Sequence, residues 1–230
     1  MSLYFVLLLA SAGVPLLLSF DKRLQFYKQW KIIFPSITIV AVVYIVFDIV
    51  FTDIGIWGFN PKYLSGIKIA NLPLEEILFF FAIPYASLFL HYSFIEYFPK
   101  VRLNSKVTKI ITVGLLVLSL LLAFVNTERT YTFYIFLKMV VVLLLALILK
   151  TKATQSFFIT FLLILVPFIV VNGILTGTGI DQEIVWYNDA ENLGIRFFTI
   201  PVEDFAYAFS MILLNLVLIQ QFQKKSTSHK

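Results

Sequence analysis

The chain is predicted to be an all-α transmembrane protein, a seven-helix bundle built from two parallel three-helix repeats joined by a linking helix. Three observations predict it. First, its 230 residues are 60% hydrophobic and 13% charged, with a mean hydropathy of +0.93, the composition of a membrane protein rather than of a soluble core. Second, seven apolar stretches, near 3–20, 31–52, 73–93, 107–125, 131–149, 155–175 and 200–222, each have about the length needed to cross a bilayer core of about 30 Å. Third, one segment occurs twice. Phe59-Asn60, Gly66-Ile67-Lys68 and Pro73-Leu74-Glu75-Glu76 return as Tyr187-Asn188, Gly194-Ile195-Arg196 and Pro201-Val202-Glu203-Asp204. Every pair is 128 positions apart (187 − 59, 201 − 73, 204 − 76), without a gap, which reads as a duplicated loop and helix start.

The elements follow in order. The first stretch has no basic segment before it, so it reads as a retained helix and not a cleaved leader. The second carries Pro35 and, near its far end, Asp48. Loop 53–72 then holds the first copy of the repeat. Pro73 suits the first turn of the third helix, where a missing N–H costs nothing, and Glu75 and Glu76 follow it. The fourth stretch has no counterpart and is the linking helix. The fifth carries Lys138 inside the span. The sixth ends near Asn172, whose setting Val171-Asn172-Gly173 resembles Phe47-Asp48-Ile49 at an offset of 124 (172 − 48); loop 176–199 is thus four residues longer than its partner. Gly173, Gly177 and Gly179 lack nucleotide-loop spacing and mark a helix end. Pro201 opens the seventh helix, and a short tail follows Phe222. Pro84 and Pro167 lie inside spans, where neighbouring helices can satisfy the freed carbonyls. The halves are 1–98 and 129–230, the latter with its basic tail, around a linking segment at 99–128.

Basic residues set the orientation. Lys22, Arg23, Lys28, Lys31, Lys100, Arg102, Lys106, Lys109, Lys150, Lys152, Lys224, Lys225 and Lys230 fall on one side, thirteen against the four of Lys62, Lys68, Arg129 and Arg196. The positive-inside rule puts the N-terminus outside and the C-terminus in the cytoplasm of a plasma-membrane protein. The same asymmetry accounts for the net charge of +5 without nucleic acid, and no basic patch is interleaved with exposed aromatics. There is no cysteine, which excludes disulfides and thiolate chemistry. His91 and His229 are isolated and read as interfacial. No dinucleotide fingerprint or P-loop is present. No cofactor and no metal are expected.

Carboxylates remain as the chemistry. Glu75, Glu76, Glu203 and Asp204 fall in first helical turns; one explanation is only that helix dipoles favour acids there. Adjacent residues lie about 100° apart on a helix, so one acid of each pair can face the bundle. Lys138, roughly 10 Å deep at 1.5 Å per residue, is expected to pair with a repeat carboxylate or with Asp48; the other reading is snorkelling. A site with several carboxylates can hold some protonated and some ionised, as acid and base catalysis in one pocket requires. Phe79, Phe80, Phe81, Phe205, Tyr207 and Phe209 lie just below the acids, where aromatic faces can stabilise a carbocation; lipid contact is the alternative role for most of them.

At these residues the chain resembles the membrane-integral lycopene cyclases, which carry a Pro-x-Glu-(Glu/Asp) motif in each half and occur as two small subunits, as one fused chain, or as the front half of a bifunctional enzyme. The matches are Pro73-Leu74-Glu75-Glu76 and Pro201-Val202-Glu203-Asp204, and the resemblance covers nearly the whole length, without a phytoene synthase domain. It implies redox-neutral closure of the linear ends of lycopene to β-ionone rings, through γ-carotene to β-carotene, on a carotenoid drawn from the bilayer. Glu75, Glu76, Glu203 and Asp204 are the acid/base candidates. Asp48, Lys138, Asn60, Asn188, Pro73 and Pro201 are supporting candidates, Asp48 and Lys138 from membrane cost alone. Membrane lipid and other enzymes of the carotenoid pathway are the expected partners. Three rivals remain. A sugar carrier of the SWEET type shares the 3+1+3 plan but should place polar groups at the midplane. A retinal protein would need a lysine deep in the seventh helix. A relative could instead hydrate carotenoid ends or cyclise longer carotenoids.

Overall fold

The structure, a computed structural model, describes residues 2–228; His229 and Lys230, read above as tail residues, lie outside the described residues. Seven α-helices carry the fold: α1 (Leu3–Leu18), α2 (Trp30–Asp53), α3 (Leu74–Tyr97), α4 (Ser105–Val125), α5 (Thr130–Ile148), α6 (Thr154–Leu175) and α7 (Glu203–Ser228). Six of them are long and apolar enough to cross a membrane, which makes this a multi-pass membrane protein. The sixteen residues of α1 span only about 24 Å at 1.5 Å per residue, short of a hydrocarbon core of about 30 Å. Ser2 caps α1, its hydroxyl oxygen accepting from the Phe5 amide. Pro15, Pro35, Pro84 and Pro167 all sit inside helices.

α7 runs through the segment expected to be a tail. Nothing in Gln223-Lys224-Lys225-Ser226 stops a helix, and Lys224 Nζ donates to the Leu149 carbonyl at the end of α5 (3.3 Å). Gln220 spans the same corner, accepting from the Lys152 amide at 2.7 Å. Gly177 and Gly179, with φ of +113° and +76°, end α6 as the glycine cluster predicts.

Short strands absent from the sequence reading complete the fold: β1 (Trp57–Phe59), β2 (Lys68–Ile69), β3 (Leu72–Pro73), β4 (Val185–Tyr187), β5 (Arg196–Phe197) and β6 (Ile200–Pro201). β2–β3 and β5–β6 are hairpins in the same register, Lys68 opposite Pro73 and Arg196 opposite Pro201. The motif prolines therefore end hairpins instead of opening helices. Pro73 is the extended residue that precedes α3, and Pro201 precedes α7 by two positions. A proline needs no ladder partner for a missing N–H at such a strand end.

β1 and β4 join the two repeat loops to each other. They are antiparallel, with Gly58 opposite Trp186, its own counterpart at the 128-residue offset. The hydrogen bonds on either side are matched: the Asn60 amide donates to Ile184 O and the Asn188 amide to Ile56 O, each at 2.8 Å. A pseudo-two-fold axis thus passes through the Gly58–Trp186 pair, and both loops lie on one face, as a parallel repeat requires. Below them α1 packs on α3 as α5 packs on α7, and α2 crosses to α7 as α6 crosses to α3. α4 lies against α5 and has no partner of its kind.

Candidate active site

Each acidic pair divides its labour in the same way. Glu75 Oε1 accepts from the Ser65 amide and the Ser2 hydroxyl, both at 2.6 Å. Glu203 Oε1 accepts from the Leu193 amide (2.8 Å) and the Thr132 hydroxyl (2.6 Å). Ser65 and Leu193 are again 128 apart. Both side chains are fully buried, and they tie each repeat loop to the first turn of its helix and to the start of α1 or α5.

The second acid of each pair faces a small shared cavity of about 60 Å³, lined by Glu76, Asp204, Asp48 and Asn172 among aromatic walls. Glu76 Oε2 accepts from the Tyr4 hydroxyl at 2.6 Å. Asp204 accepts from three donors: the Tyr131 hydroxyl, Asn172 Nδ2 (2.8 Å) and the Tyr187 hydroxyl (3.0 Å). Tyr4 and Tyr131 open the first helix of each half and serve equivalent acids. Tyr187 stands on the loop, where burial and the Asp204 charge hold its phenol well above the ordinary value of 10.0, so it remains a donor. β1 and β4 roof the cavity through Trp57, Phe59, Val185 and Tyr187.

Asp48 and Asn172, at matched positions of α2 and α6, both line the cavity. Asn172 bonds Asp204, whereas Asp48 Oδ2 is buried without a hydrogen-bond partner. The ion pair expected for Lys138 does not form. Its Nζ is buried without a hydrogen-bond partner and lies 4.4 Å from the Tyr207 ring centroid, 4.6 Å from Tyr44 and 5.0 Å from Phe47. Ring faces surround the ammonium, and Asp48 is the carboxylate that attracts it from beyond ion-pair distance.

Asn60 and Asn188 are not in the cavity. Their side-chain oxygens accept from the Lys62 and Ala190 amides, each at 3.1 Å, which shapes the loops as Asx turns. Asp189, next to it, is held below the usual carboxylate range by the Asn192 amide and by Arg196 at 2.6 Å. Of the six aromatics placed below the acids, Phe79 and Tyr207 line the cavity. Phe80 packs on Tyr44, Phe205 on Phe168 and Phe197, Phe209 on Phe157 and Phe161, and Phe81 joins the partly buried residues around the core. His91 is a buried strut, its Nδ1 2.7 Å from the Thr160 hydroxyl of α6. Sequence reasoning missed Tyr4, Trp57, Tyr131, Phe168 and Tyr187. Tyr187 was within reach, being the aromatic member of the second repeat, and Tyr4 and Tyr131 stand near the start of equivalent apolar stretches. Among the described residues, no group of three or more His, Asp or Glu side chains has the arrangement of a metal site.

Three carboxyl groups, Asp48 and Glu76 from the first half and Asp204 from the second, thus meet in one aromatic cavity under a β-ribbon, an arrangement that suits proton transfer. No curated protein and no solved structure matches the chain. The lycopene cyclase family model matches residues 1–98 and 128–222. With a duplicated motif that delivers one acid from each half to a single cavity, the chain belongs to the lycopene cyclase family.

Proposed function

We propose that the protein closes the linear ends of lycopene to β-ionone rings, through γ-carotene to β-carotene, as an isomerase that needs no redox cofactor. The observation that carries this reading is the single cavity shared by Glu76 and Asp204. Glu76 is the proton donor. It receives one hydrogen bond, from Tyr4, and its carboxyl can give a proton to the terminal alkene. The neighbouring double bond attacks the tertiary cation and closes the six-membered ring. Asp204 takes up the proton that leaves the ring carbon. Three donors converge on it, the surroundings of an acceptor-only carboxylate. One proton enters and one leaves, so substrate and product have the same mass and oxidation state. Rings of Trp57, Phe79 and Tyr207 line the space where the cation forms and offer their negative faces to it. Glu75 and Glu203 position the motif. We place the protein in the plasma membrane, with the acids toward the outer face.

The test is turnover of lycopene by the full-length protein in lipid, without oxygen or nicotinamide, in D₂O. One deuterium per ring closed is expected, because the donated proton comes from an exchangeable carboxyl group while the proton lost leaves another carbon. An unlabelled product, or a requirement for a reductant, contradicts the mechanism; a hydrated or longer-chain product assigns the same site to a different end-group reaction.

A further inference from the structure

A second, almost wholly apolar space opens beside the acid cavity. It is a groove of about 700 Å³ between α1, α3 and α6. Phe79, Ile83, Phe168, Asn172 and Ala208 line both the groove and the cavity, so the two adjoin along these side chains. From Phe79 the groove follows α3 to Leu90, eleven residues or about 16 Å along the helix at 1.5 Å per residue. Its outer wall includes Val14, Val166 and Val170, all more than half exposed, so it is open along its side to the lipid. The groove starts beside the acid cavity and runs along α3 toward the opposite face.

The pseudo-two-fold axis relates this groove to the space between α5, α7 and α2, where Tyr44, Tyr207 and Lys138 meet. Tyr4 and Tyr131 are equivalent, so Ser11 and Lys138, each seven residues on, are equivalent too. Phe79 corresponds to Tyr207 at the 128 offset. Phe168 corresponds to Tyr44 at the 124 offset that relates Asn172 to Asp48. In the open half Ser11, Phe79 and Phe168 line the groove; Phe79 packs on Tyr4 and Phe80, and Phe168 on Phe205. In the other half Tyr44 and Tyr207 meet edge to face at 5.0 Å, and Lys138 Nζ sits over both rings. A hydrogen bond between the Tyr44 and Ser210 hydroxyls (2.9 Å) pins the plug.

We infer that the α1–α3–α6 groove holds the unreacted arm of the linear polyene while its end lies between Glu76 and Asp204, and that the Lys138 plug leaves the enzyme one such groove. The inference rests on the cyclase reading above. It has a consequence for the order of events. With one groove and one acid pair at one face, a molecule with one ring closed must leave and re-enter in the opposite sense before its second end reacts.

The test uses full-length protein in lipid vesicles with two probes, lycopene and a truncated acyclic polyene that carries the same terminal alkene on less than half the chain. Ala10→Phe and Ala86→Phe add bulk to the groove wall away from the acids. Both variants are expected to lose kcat/KM for lycopene by about tenfold or more, the effect of overpacking by roughly 1.4 kcal/mol, and to handle the truncated probe like the parent protein. Unchanged lycopene turnover means the groove holds only lipid, and equal loss for both probes means it does not read the arm; either result overturns the assignment. A chase of labelled lycopene with excess unlabelled lycopene is expected to release labelled monocyclic product before the bicyclic one. Label that passes directly into the bicyclic product overturns the single-groove order. If the parent protein cyclises neither probe, the cyclase reading itself fails, independently of the groove.

Discussion

Glu75 and Glu76 are neighbours in sequence, yet one meets backbone amides and the other an open cavity, and substitution should separate them. Glu76→Gln and Asp204→Asn keep size and polarity but remove the transferable proton. Each is expected to lower cyclisation by about 10² or more, the scale of a lost general acid or base, with protein still in the membrane. Glu75→Ala and Glu203→Ala strand the Ser65 and Leu193 amides. They are expected to lower stability by about 1–3 kcal/mol, read as a fall in melting temperature in detergent. Near-normal product from both Glu76→Gln and Asp204→Asn would remove the site assignment. The four acids were legible because carboxylates in a membrane are costly and these recur in register. Which of each pair faces inward was not, because a hairpin of two-residue strands decides the helix phase and leaves no period to read. The rings around Lys138 were not legible either: membrane cost calls for a counter-charge, which Asp48 supplies from beyond ion-pair distance, while Tyr44, Phe47 and Tyr207 come from two other helices and reach the ammonium only through packing.

At the scale of elements, the seven helices and both long loops follow from hydropathy and from the repeat. The strands do not, since six pieces of two or three residues carry no alternation to detect. The β1–β4 ribbon matters most among them because it roofs the cavity. Gly58 lies under the Trp186 ring, and a Cβ there would collide with it. Gly58→Val is therefore expected to cost about 1–3 kcal/mol and to reduce cyclisation by loosening the roof. Trp186→Ala in the same chain should restore part of the lost stability. A double-mutant cycle on melting temperature checks this, and full additivity would show that the ring is not the obstacle.

For the whole molecule, the positive-inside count leads us to propose that both acidic pairs lie at the outer face, and the ribbon requires the two repeat loops to share whichever face they occupy. Single cysteines, introduced into a chain that has none, are expected to label from outside in loops 53–72, 126–130 and 176–199, and only after permeabilisation in 21–31 and 93–106. The reverse pattern inverts the orientation. Labelling of the two repeat loops from opposite sides is incompatible with the fold. The ribbon carries one more consequence. Its hydrogen bonds are exchanged about the Gly58–Trp186 pair in the manner of an isologous contact, in which one patch meets its own copy. Such a contact is what two copies of a single three-helix chain would make as a homodimer. Within that frame the halves differ, Asp48 standing opposite Asn172 and Ser11 opposite Lys138. The chamber is thus asymmetric in its side chains beneath a seam whose backbone pairing remains symmetric.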